Sequence, residues 1–478
     1  MKRIERCQIF TPDDKANKLL DIIGYKKNLF GKKFLENSCG DGSVLKHAVS
    51  RYIRDCINKN LSLKIIKKGL QDDIWGFEID STKYDDCIKT LNKVAEYYGI
   101  YDVRWNIHVA DFLKYNLFQK FSYIAGNPPY INYRDLEPKT REFIKNEFIT
   151  CSKGKFDYCY AFIEKSLNCL SNDGKLSYLI PSSIFKNVFA EKLREYILPS
   201  TTTIYDFKTE KVFSKVLVAT SILVCEKGKN KKQILYKNEE NKTCIKIPKT
   251  FLKQKWIFKA EEQKNQITKL KFGDLFNAQI SIATLLNKAF IIRPDTNIIS
   301  KCSIEDEVIR PAKSPRNLAY GIKERIIFPY YYKNGKLMKY HSEEFEEKYP
   351  MAVQHLKMFK DKLEKRNKDL SAEWFEYGRS QALSHLNQEK LLISTVVTDN
   401  IKVYELSKED IPYSGIYITS LNGASLNKAK EILTSNSFLE YVNNIGIQAS
   451  GKSLRITPKD VNNFELNMEV AVWKFLLM

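Results

Sequence analysis

The sequence has few of the residues that hold metal centres, and no long hydrophobic run. It contains five histidines and ten cysteines, and no two cysteines are spaced as Cys-x-x-Cys, so no zinc or iron–sulfur ligand set is predicted. No apolar run reaches about 18 residues and no signal-peptide pattern is visible, which predicts neither a membrane span nor a leader. We therefore expect a cytoplasmic protein whose cysteines serve as small buried apolar residues.

Acidic residues are too few to balance the basic ones. The 78 lysines and arginines exceed the 57 aspartates and glutamates, which gives a formal net charge of +21. Such an excess favours a polyanionic partner, most simply nucleic acid, although a lysine-rich proteome would produce the same imbalance. The excess is spread over both halves of the 478 residues, a length that indicates two or three domains.

The most informative stretch is residues 121–130, which read Phe-Ser-Tyr-Ile-Ala-Gly-Asn-Pro-Pro-Tyr. The apolar run predicts a buried strand, and the two prolines prevent it from continuing. The turn therefore presents the Asn127 amide, the carbonyls beside the prolines and the Tyr130 ring together at one strand end. In an open α/β sheet, ligands bind along that edge.

A strand, a glycine turn and a helix precede this stretch at residues 33–55. The turn is Cys-Gly-Asp-Gly-Ser at residues 39–43, and its glycines allow the backbone to approach a ligand at the helix N-terminus. It lacks the pattern G-x-G-x-x-G and the Lys-Ser/Thr pair of a phosphate-binding loop. The carboxylates of Glu36 and Asp41 favour a cationic or hydroxyl-bearing ligand instead.

Two further predicted strands also end in carboxylates. Residues 74–80 include Glu78, which is placed to bind the hydroxyls of a ribose, and residues 105–110 are followed by Asp111. Each carboxylate alone would usually be a solvated strand end. Four successive strand ends that alternate with helices indicate one shared site at the sheet edge.

The remaining elements of the first half are read from periodicity. A helix is predicted from Asp13, with Thr11 as its N-cap and Pro12 in its first turn, and residues 58–73 are predicted to form a helical or loop insertion. Three more strands are predicted at residues 175–183, 203–208 and 220–225. The lysine- and asparagine-rich stretch at residues 226–249 is interpreted as the domain boundary, which we place after residue 245.

Asn-Pro-Pro-Tyr, together with the three upstream strand ends, resembles the amino-methyltransferases that use S-adenosyl-L-methionine. The resemblance implies an α/β fold, with a Rossmann-like seven-stranded methyltransferase domain over residues 1–245. Glu36 would lie near the methionine amine, Glu78 would bind the ribose and Asp111 the cofactor adenine. The implied cofactor-binding residues are Thr11, Pro12, Glu36, Cys39, Gly40, Gly42, Glu78, Asp111 and Asn127. Asn37 departs from the family pattern, in which a proline often follows the glutamate.

The chemistry explains why the turn needs these residues, and the implied catalytic set is Asn127, Pro128 and Tyr130. An exocyclic adenine amine is a poor nucleophile because its lone pair is delocalised into the ring. The Asn127 side-chain oxygen and the Pro128 carbonyl can accept its two N–H groups, so proximity and polarisation suffice without a strong base or metal. Tyr130 would stack on a base flipped out of the duplex. Phe213 is the candidate second stacking wall, with a core phenylalanine as the alternative.

Residues 246–478 are predicted to form a mixed α+β target-recognition domain. Segments at residues 280–284, 309–311, 325–330, 349–363, 374–381 and 450–458 resemble the TaqI-like specificity domain, in the same order. Basic and amide side chains in this half can reach phosphates or base edges, and the candidates are Arg379, Gln381, Gln448, Lys452 and Arg455. Each of them alone is more often a solvated surface residue.

The order of these motifs resembles the gamma class of N6-adenine DNA methyltransferases of bacterial restriction–modification systems. That implies a monomer that methylates a flipped adenine in double-stranded DNA and protects the host from restriction, with a separate cognate restriction endonuclease as a candidate partner. Three alternatives stay open within the same chemistry, namely RNA, protein glutamine and cytosine N4 as substrate. A fourth, from another class, is a non-catalytic DNA-binding protein with a methylase fold.

Overall fold

The computed structural model describes residues 10–208, 210, 212–213, 218–258, 270–293, 304–421, 423–450 and 453–466. The chain divides into two compact units, Met1–Gln263 and Lys264–Met478. Within the described ranges, none of the helices is long and apolar enough to cross a membrane.

The first unit is built on one mixed sheet, which has nine strands in the part of the chain that the structure describes. They are β1 (Phe34–Glu36), β2 (Ile74–Glu78), β3 (Asn106–Val109), β4 (Phe121–Gly126), β5 (Leu170–Pro181), β6 (Thr201–Asp206), β7 (Thr220–Glu226), β8 (Gln233–Asn238) and β9 (Thr243–Pro248). Their order across the sheet is β3-β2-β1-β4-β5-β7-β6-β8-β9. Strands β1 to β5 run parallel to one another, and β7 is antiparallel to β5 and β6. The C-terminal ends of β1 to β4 therefore share one edge.

The helices of this unit are α1 (Asp13–Ile22), α2 (Leu45–Asn58), α3 (Leu63–Asp73), α4 (Ser81–Tyr97), α5 (Pro138–Glu147), α6 (Cys159–Cys169) and α7 (Glu191–Ile197). The predicted insertion before β2 is helical, since it contains α3. Pro12, in an extended conformation, is the N-cap of α1 and no side chain caps it. The prediction that Thr11 caps this helix is therefore wrong, and Thr11 is itself buried.

Side chains that alternate along the strands enter two separate hydrophobic clusters. On β1, Phe34 packs with residues of α1 and α2, whereas Leu35 packs with residues of α6 and α7. On β4, Ile124 belongs to the same cluster as Leu35, and Ala125 belongs to the same cluster as Phe34. Because successive side chains of a strand point to opposite faces, both faces of the sheet are buried, as an α/β fold requires.

The seven predicted strands correspond to β1 to β7, but the sheet continues with β8 and β9, and the boundary predicted after residue 245 is wrong. Residues 226–249 are not a linker, because β8 pairs in parallel with β6 and forms an antiparallel hairpin with β9. Ile234, Tyr236 and Ile247 are buried in the core while the lysines around them face outward. The lysine- and asparagine-rich composition hid this alternation, and β9 runs through the predicted boundary.

The chain after β9 stays with the first unit. Trp256 is completely buried and its ring stacks on Phe185 at 5.7 Å between centroids. Phe258 stacks on Tyr236 of β8 at 4.3 Å. Arg194 of α7 donates hydrogen bonds to the carbonyls of Ile184 and Gln254. These contacts extend the hydrophobic core of the first unit to residue 258.

The second unit contains both helices and strands. Its strands are β10 (Phe276–Ile280), β11 (Ile291–Ile292), β12 (Ile309–Lys313), β13 (Glu324–Ile327), β14 (Tyr330–Lys333), β15 (Lys336–Lys339), β16 (Lys390–Ile393), β17 (Val396–Val397), β18 (Tyr404–Leu406), β19 (Ile411–Pro412), β20 (Ile416–Ser420), β21 (Ile447–Ser450) and β22 (Ser453–Arg455). The described strands form separate sheets of four, four, two and three strands, in the orders β10-β20-β16-β18, β11-β13-β12-β19, β14-β15 and β17-β22-β21.

The helices of the second unit are short. They are α8 (Phe272–Leu275), α9 (Asn287–Phe290), α10 (Pro315–Tyr320), α11 (Ser342–Lys348), α12 (Pro350–Lys357), α13 (Lys360–Glu364), α14 (Leu426–Thr434), α15 (Asn436–Ile445) and α16 (Pro458–Asn462). The segment at residues 349–363 contains α12 and most of α13. A separate aromatic-rich core, which includes Phe290, Phe328 and Phe375, holds much of this unit together.

Candidate functional site

The Asn-Pro-Pro-Tyr turn begins where β4 ends, and it is anchored from two neighbouring segments. The Tyr130 hydroxyl donates to the Leu179 carbonyl of β5 at 2.7 Å. The Ser38 hydroxyl, just after β1, donates to the Asn127 carbonyl at 3.2 Å. Pro128 is buried, and Asn127 and Tyr130 are half-buried. The turn is therefore held between β1 and β5, while the Asn127 side chain is left at the sheet edge.

Glu36 lies against the start of this turn. Its side chain is only 3% exposed and accepts a hydrogen bond from the Leu45 N–H of α2 at 3.1 Å. A Cβ atom on Gly126 would lie 3.3 Å from the Glu36 Cγ, so the glycine leaves the space that the glutamate occupies. Burial raises the pKa of Glu36 well above its usual value. A cation placed beside this carboxyl would favour its ionised form.

The glycine loop is tight and lies against α4. The Cys39 N–H donates to the Phe77 carbonyl of β2 at 2.9 Å, and the Gly42 N–H donates to the Cys39 carbonyl at 2.8 Å. Gly40 and Gly42 have φ values of +51° and +82°, which side-chain-bearing residues rarely adopt. A Cβ on Gly42 would also lie 3.1 Å from the Cys87 sulfur. Both glycines are therefore needed for the shape of this loop.

Glu78, at the end of β2, joins that loop to its own turn. One carboxylate oxygen accepts the Gly40 N–H at 2.8 Å. The other accepts the N–H groups of Ile79 at 2.9 Å and Asp80 at 3.0 Å. A carboxylate oxygen has two lone pairs, so the oxygen bound to Gly40 can accept a further hydroxyl donor. This arrangement suits a diol next to the glycine loop.

Asp111 follows β3 at the same sheet edge. Its Oδ1 accepts the Leu113 N–H at 3.0 Å, and its Oδ2 lies 3.8 Å from the Lys114 Nζ. Burial is the main cause that raises the pKa of Tyr158, and the charge of Asp111 adds to it. Tyr158 therefore lies within electrostatic reach of Asp111.

The N-terminal segment reaches the glycine loop through a residue that sequence reasoning missed. Thr11 is buried and Pro12 half-buried, whereas the neighbouring Phe10 is 46% exposed. A Cβ on Gly40 would lie 3.7 Å from the Phe10 ring. The signal in the sequence was an aromatic residue directly before Thr11-Pro12, so the contact segment begins one residue earlier than predicted.

Asn37, the residue that departs from the family pattern, has a structural role. Its Nδ2 donates to the Ser166 hydroxyl of α6 at 2.7 Å. The Ser166 hydroxyl also lies 2.7 Å from the Tyr178 hydroxyl of β5 and donates to the Phe162 carbonyl at 2.6 Å. Asn37 thus ties the end of β1 to α6 and β5, which a proline at this position could not do.

Phe213 lies in the hydrophobic core in this structure. It is 4% exposed and belongs to the cluster formed by Leu19, Leu179 and their neighbours, against which Tyr130 also packs. This burial favours the core-phenylalanine alternative over an open stacking wall.

The predicted DNA-contacting residues of the second unit lie in two local groups. Arg379 donates to the Asp369 carboxylate at 2.7 Å, which holds the pKa of Asp369 below its usual value, and Gln381 nearby is exposed. Gln448 is half-buried on β21 and Arg455 is exposed on β22, and these two strands pair with each other. Lys452 lies outside the described residues. Of the two basic candidates that the structure describes, Arg455 is therefore more exposed than Arg379.

Comparison with known proteins gives a family model for the first unit. Residues 27–213 match the Eco57I restriction-modification methylase model. The type II methyltransferase M.BstVI of Geobacillus stearothermophilus is 23% identical over 94% of this chain and 87% of that protein. The type II restriction enzyme and methyltransferase RM.Eco57I of Escherichia coli is 25% identical over 67% of this chain, but this chain spans only 38% of that protein. The modification methylase CviBIII of Paramecium bursaria Chlorella virus NC1A is 30% identical over 41% of this chain and 43% of that protein.

Two solved structures share the fold over most of the chain. The type IIL restriction-modification enzyme MmeI, solved in complex with DNA, superposes with a TM-score of 0.63 at 15% identity, over 94% of this chain and 64% of that one. The DrdV–DNA complex gives a TM-score of 0.53 at 12% identity, over 91% of this chain and 53% of that one. This chain thus spans less than two thirds of either structure. Residues 27–213, which carry the strand ends and the turn described above, are thus similar to the Eco57I restriction-modification methylase model.

Proposed function

We propose that this chain is a site-specific DNA methyltransferase that transfers a methyl group from S-adenosyl-L-methionine to the N6 amine of an adenine. The observation that carries the proposal is the placement of the Asn-Pro-Pro-Tyr turn on the same sheet edge as Glu36, Glu78 and Asp111. The family match and the type II methyltransferases among the relatives support DNA as the substrate.

The residues at the sheet edge fit this cofactor part by part. Glu36 is a buried carboxyl that suits the methionine ammonium, and its acceptor capacity is only partly used. Glu78 suits the ribose diol, and Asp111 suits the adenine amino group. A side chain at position 42 would press on Cys87 of α4, so the glycine keeps the loop in the shape that this cofactor needs. S-Adenosyl-L-methionine, when bound, supplies the electrophilic methyl group.

Asn127 and Pro128 would act on the target amine. The Asn127 side-chain oxygen and the Pro128 carbonyl accept its two N–H donors, which localises the nitrogen lone pair for attack. Preorganised acceptors of this kind need no reorganisation during the reaction. The anchors from Ser38 and from Leu179 keep the turn in one position.

Tyr130 would hold the extruded base. Its hydroxyl is fixed by Leu179, so the ring orientation is set before the substrate arrives. Enzymes that modify a base take it out of the stack and hold it against an aromatic side chain. Phe213 would support Tyr130 from the hydrophobic core rather than stack on the base itself.

The second unit would read the DNA sequence. The net charge of +21 favours association with the phosphate backbone, and Gln381 and Arg455 are exposed polar side chains of this unit. We infer a monomeric cytoplasmic enzyme that recognises one asymmetric site, with a separate cognate restriction endonuclease.

The reaction product tests the proposal. The purified protein is incubated with isotope-labelled S-adenosyl-L-methionine and a mixture of duplex DNAs. The DNA is then digested to nucleosides, which are separated by chromatography and identified by mass spectrometry. We expect labelled N6-methyladenine at one sequence context. Label in N4-methylcytosine would support the cytosine alternative, and label only in added RNA or protein would overturn DNA as the substrate.

A further inference from the structure

The segment that follows the catalytic turn is held by a carboxylate that no motif singled out. The Cys159 N–H, at the start of α6, donates to the Asp157 Oδ1 at 3.1 Å. The backbone of Ile131 lies close enough to the same carboxylate to lower its pKa. Asn132 and Asp157 form an isolated antiparallel bridge, and the Tyr158 N–H donates to the Ile131 carbonyl at 2.9 Å. Asp157 thus joins the residue after Tyr130 to the N-terminus of α6.

This contact is the third anchor of the turn. Ser38 holds the carbonyl of Asn127, and Leu179 holds the hydroxyl of Tyr130. Neither of these two fixes the backbone on the C-terminal side of Tyr130. The segment at Asp157 does so, because the Tyr158 N–H donates to the Ile131 carbonyl while the Asp157 carboxylate accepts the Cys159 N–H and lies close to the Ile131 backbone.

We propose that Asp157 is a positioning residue for methyl transfer, whose ionised carboxylate holds the backbone beyond Tyr130 so that Asn127 and Tyr130 keep their reactive geometry. The inference rests on the proposed function. It adds a residue that lies just before α6 to a site otherwise built from strand ends.

The surroundings of Asp157 make this anchor sensitive to pH. Burial raises its pKa to about 6. The titratable groups that interact with it are Tyr130, Cys151, Cys159 and Tyr160, and burial raises the pKa of each of them. These four stay neutral near pH 6, so the charge of Asp157 changes there while theirs does not. A protonated carboxyl carries an O–H donor and accepts a backbone N–H more weakly than a carboxylate does.

Glu164 offers a matched control on α6, the helix that Asp157 precedes. It is buried, and its two oxygens accept the N–H groups of Ile149 at 3.2 Å and Thr150 at 2.8 Å. It therefore resembles Asp157 as a carboxylate that interacts with the backbone, but its partners do not follow the catalytic turn. Loss of its charge tests the structural effect of such a contact alone.

The experiment compares Asp157→Asn with Glu164→Gln by the single-turnover rate of methyl transfer between pH 5 and pH 8.5. In the wild-type protein the rate should fall as the pH drops through about 6. Asp157→Asn should lower the rate about tenfold at pH 8, as expected for the loss of one charge-assisted hydrogen bond, and should remove the acidic limb. Cofactor affinity should change by less than about threefold, and Glu164→Gln should keep both the wild-type rate and the acidic limb.

Amide hydrogen exchange provides a readout that does not depend on activity. Asp157→Asn should increase exchange in peptides covering residues 128–133, and Glu164→Gln only in those covering residues 149–151. A wild-type rate with an unchanged pH profile in Asp157→Asn would overturn the positioning role and leave the proposed function intact. A wild-type protein that makes no N6-methyladenine would overturn the proposed function and this role with it. The absence of an acidic limb in the wild type overturns the role even if the variant does not fold.

Discussion

The two units differ in how their strands are arranged, as one large sheet in the first unit and as several small sheets in the second. In the first unit, parallel strands β1 to β4 end on one edge, so Glu36, Glu78, Asp111 and Asn127 reach the same place through topology alone. In the second unit, the described strands are divided among four small sheets, and the candidate DNA contacts lie on separate hairpins and loops. A site made of strand ends tolerates change in the loops between them. A reading surface made of separate small sheets depends on each local segment.

Removal of the Asn127 amide should have the largest effect on activity, and this effect should be on the methyl-transfer step rather than on cofactor binding. Asn127→Ala loses one of the two acceptors for the target amine, so the single-turnover rate should fall by about 10³-fold, or about 4 kcal/mol. Calorimetric titration should show little change in cofactor affinity. Asn58→Ala, an exposed position at the end of α2, is the control, and turnover retained by Asn127→Ala would remove the catalytic assignment.

Ionisation of Asp157 should lower the free energy of unfolding of the first unit. With a pKa of about 6 in the folded protein and an ordinary value near 4 in the unfolded chain, the folded state binds the additional proton. The free energy of unfolding therefore falls as pH rises from about 4 to 6, by about 2–3 kcal/mol from this group. Urea unfolding of the first unit at pH 4 and pH 7.5 should show that Asp157→Asn lacks this loss.

The opposite sign is expected in the second unit, where Arg379 lowers the pKa of Asp369. This carboxylate contributes stability that is present at neutral pH and is lost as pH falls through its lowered pKa. Asp369→Asn should therefore reduce stability at pH 7 and leave it unchanged at low pH. Equal behaviour of the two aspartate variants would contradict the contrast between the units.

Loss of the Glu78 carboxylate should weaken cofactor binding without changing the rate of methyl transfer in the enzyme–cofactor complex. Glu78→Gln retains the shape but loses the charge that accepts from the Gly40 N–H and from a ribose hydroxyl, so affinity should fall by about 1.5–2 kcal/mol, or about 10- to 30-fold. The rate at saturating cofactor should stay near wild type. Glu96→Gln, on the exposed face of α4, should bind as the wild type does.

The smallest effects are expected from single basic residues of the second unit. Arg455→Ala should weaken DNA binding by about 1 kcal/mol and lower the slope of affinity against salt by about one. Arg379→Ala should have a smaller effect because its guanidinium is already bound by Asp369. Fluorescence anisotropy at several salt concentrations measures both, and a larger effect for Arg379 would identify it as the DNA contact.

The strand ends of the first unit were predictable because apolar runs stop there at glycine, proline or a carboxylate. Strand β4 begins and ends at the predicted residues 121 and 126, and the turn follows it. The hairpin of β8 and β9 was not predictable in this way, because its lysines and asparagines masked the few buried positions such as Ile234 and Ile247. The anchor between Asp157 and Ile131 joins segments 26 residues apart, which periodicity does not reveal. Phe213 was ambiguous because exposure, not residue type, separates a core ring from a stacking ring.

Under the proposed function, the aromatic residues that follow β9 bear on where two related enzymes can be joined into a hybrid. Trp256 and Phe258 belong to the first unit although they come after its last strand. A crossover at residue 245 would split β9 and remove both rings, which would leave the first unit with an open core. A crossover placed between residue 258 and α8 keeps each unit intact. Hybrids joined there should inherit the target sequence of one parent and the methylation chemistry of the other.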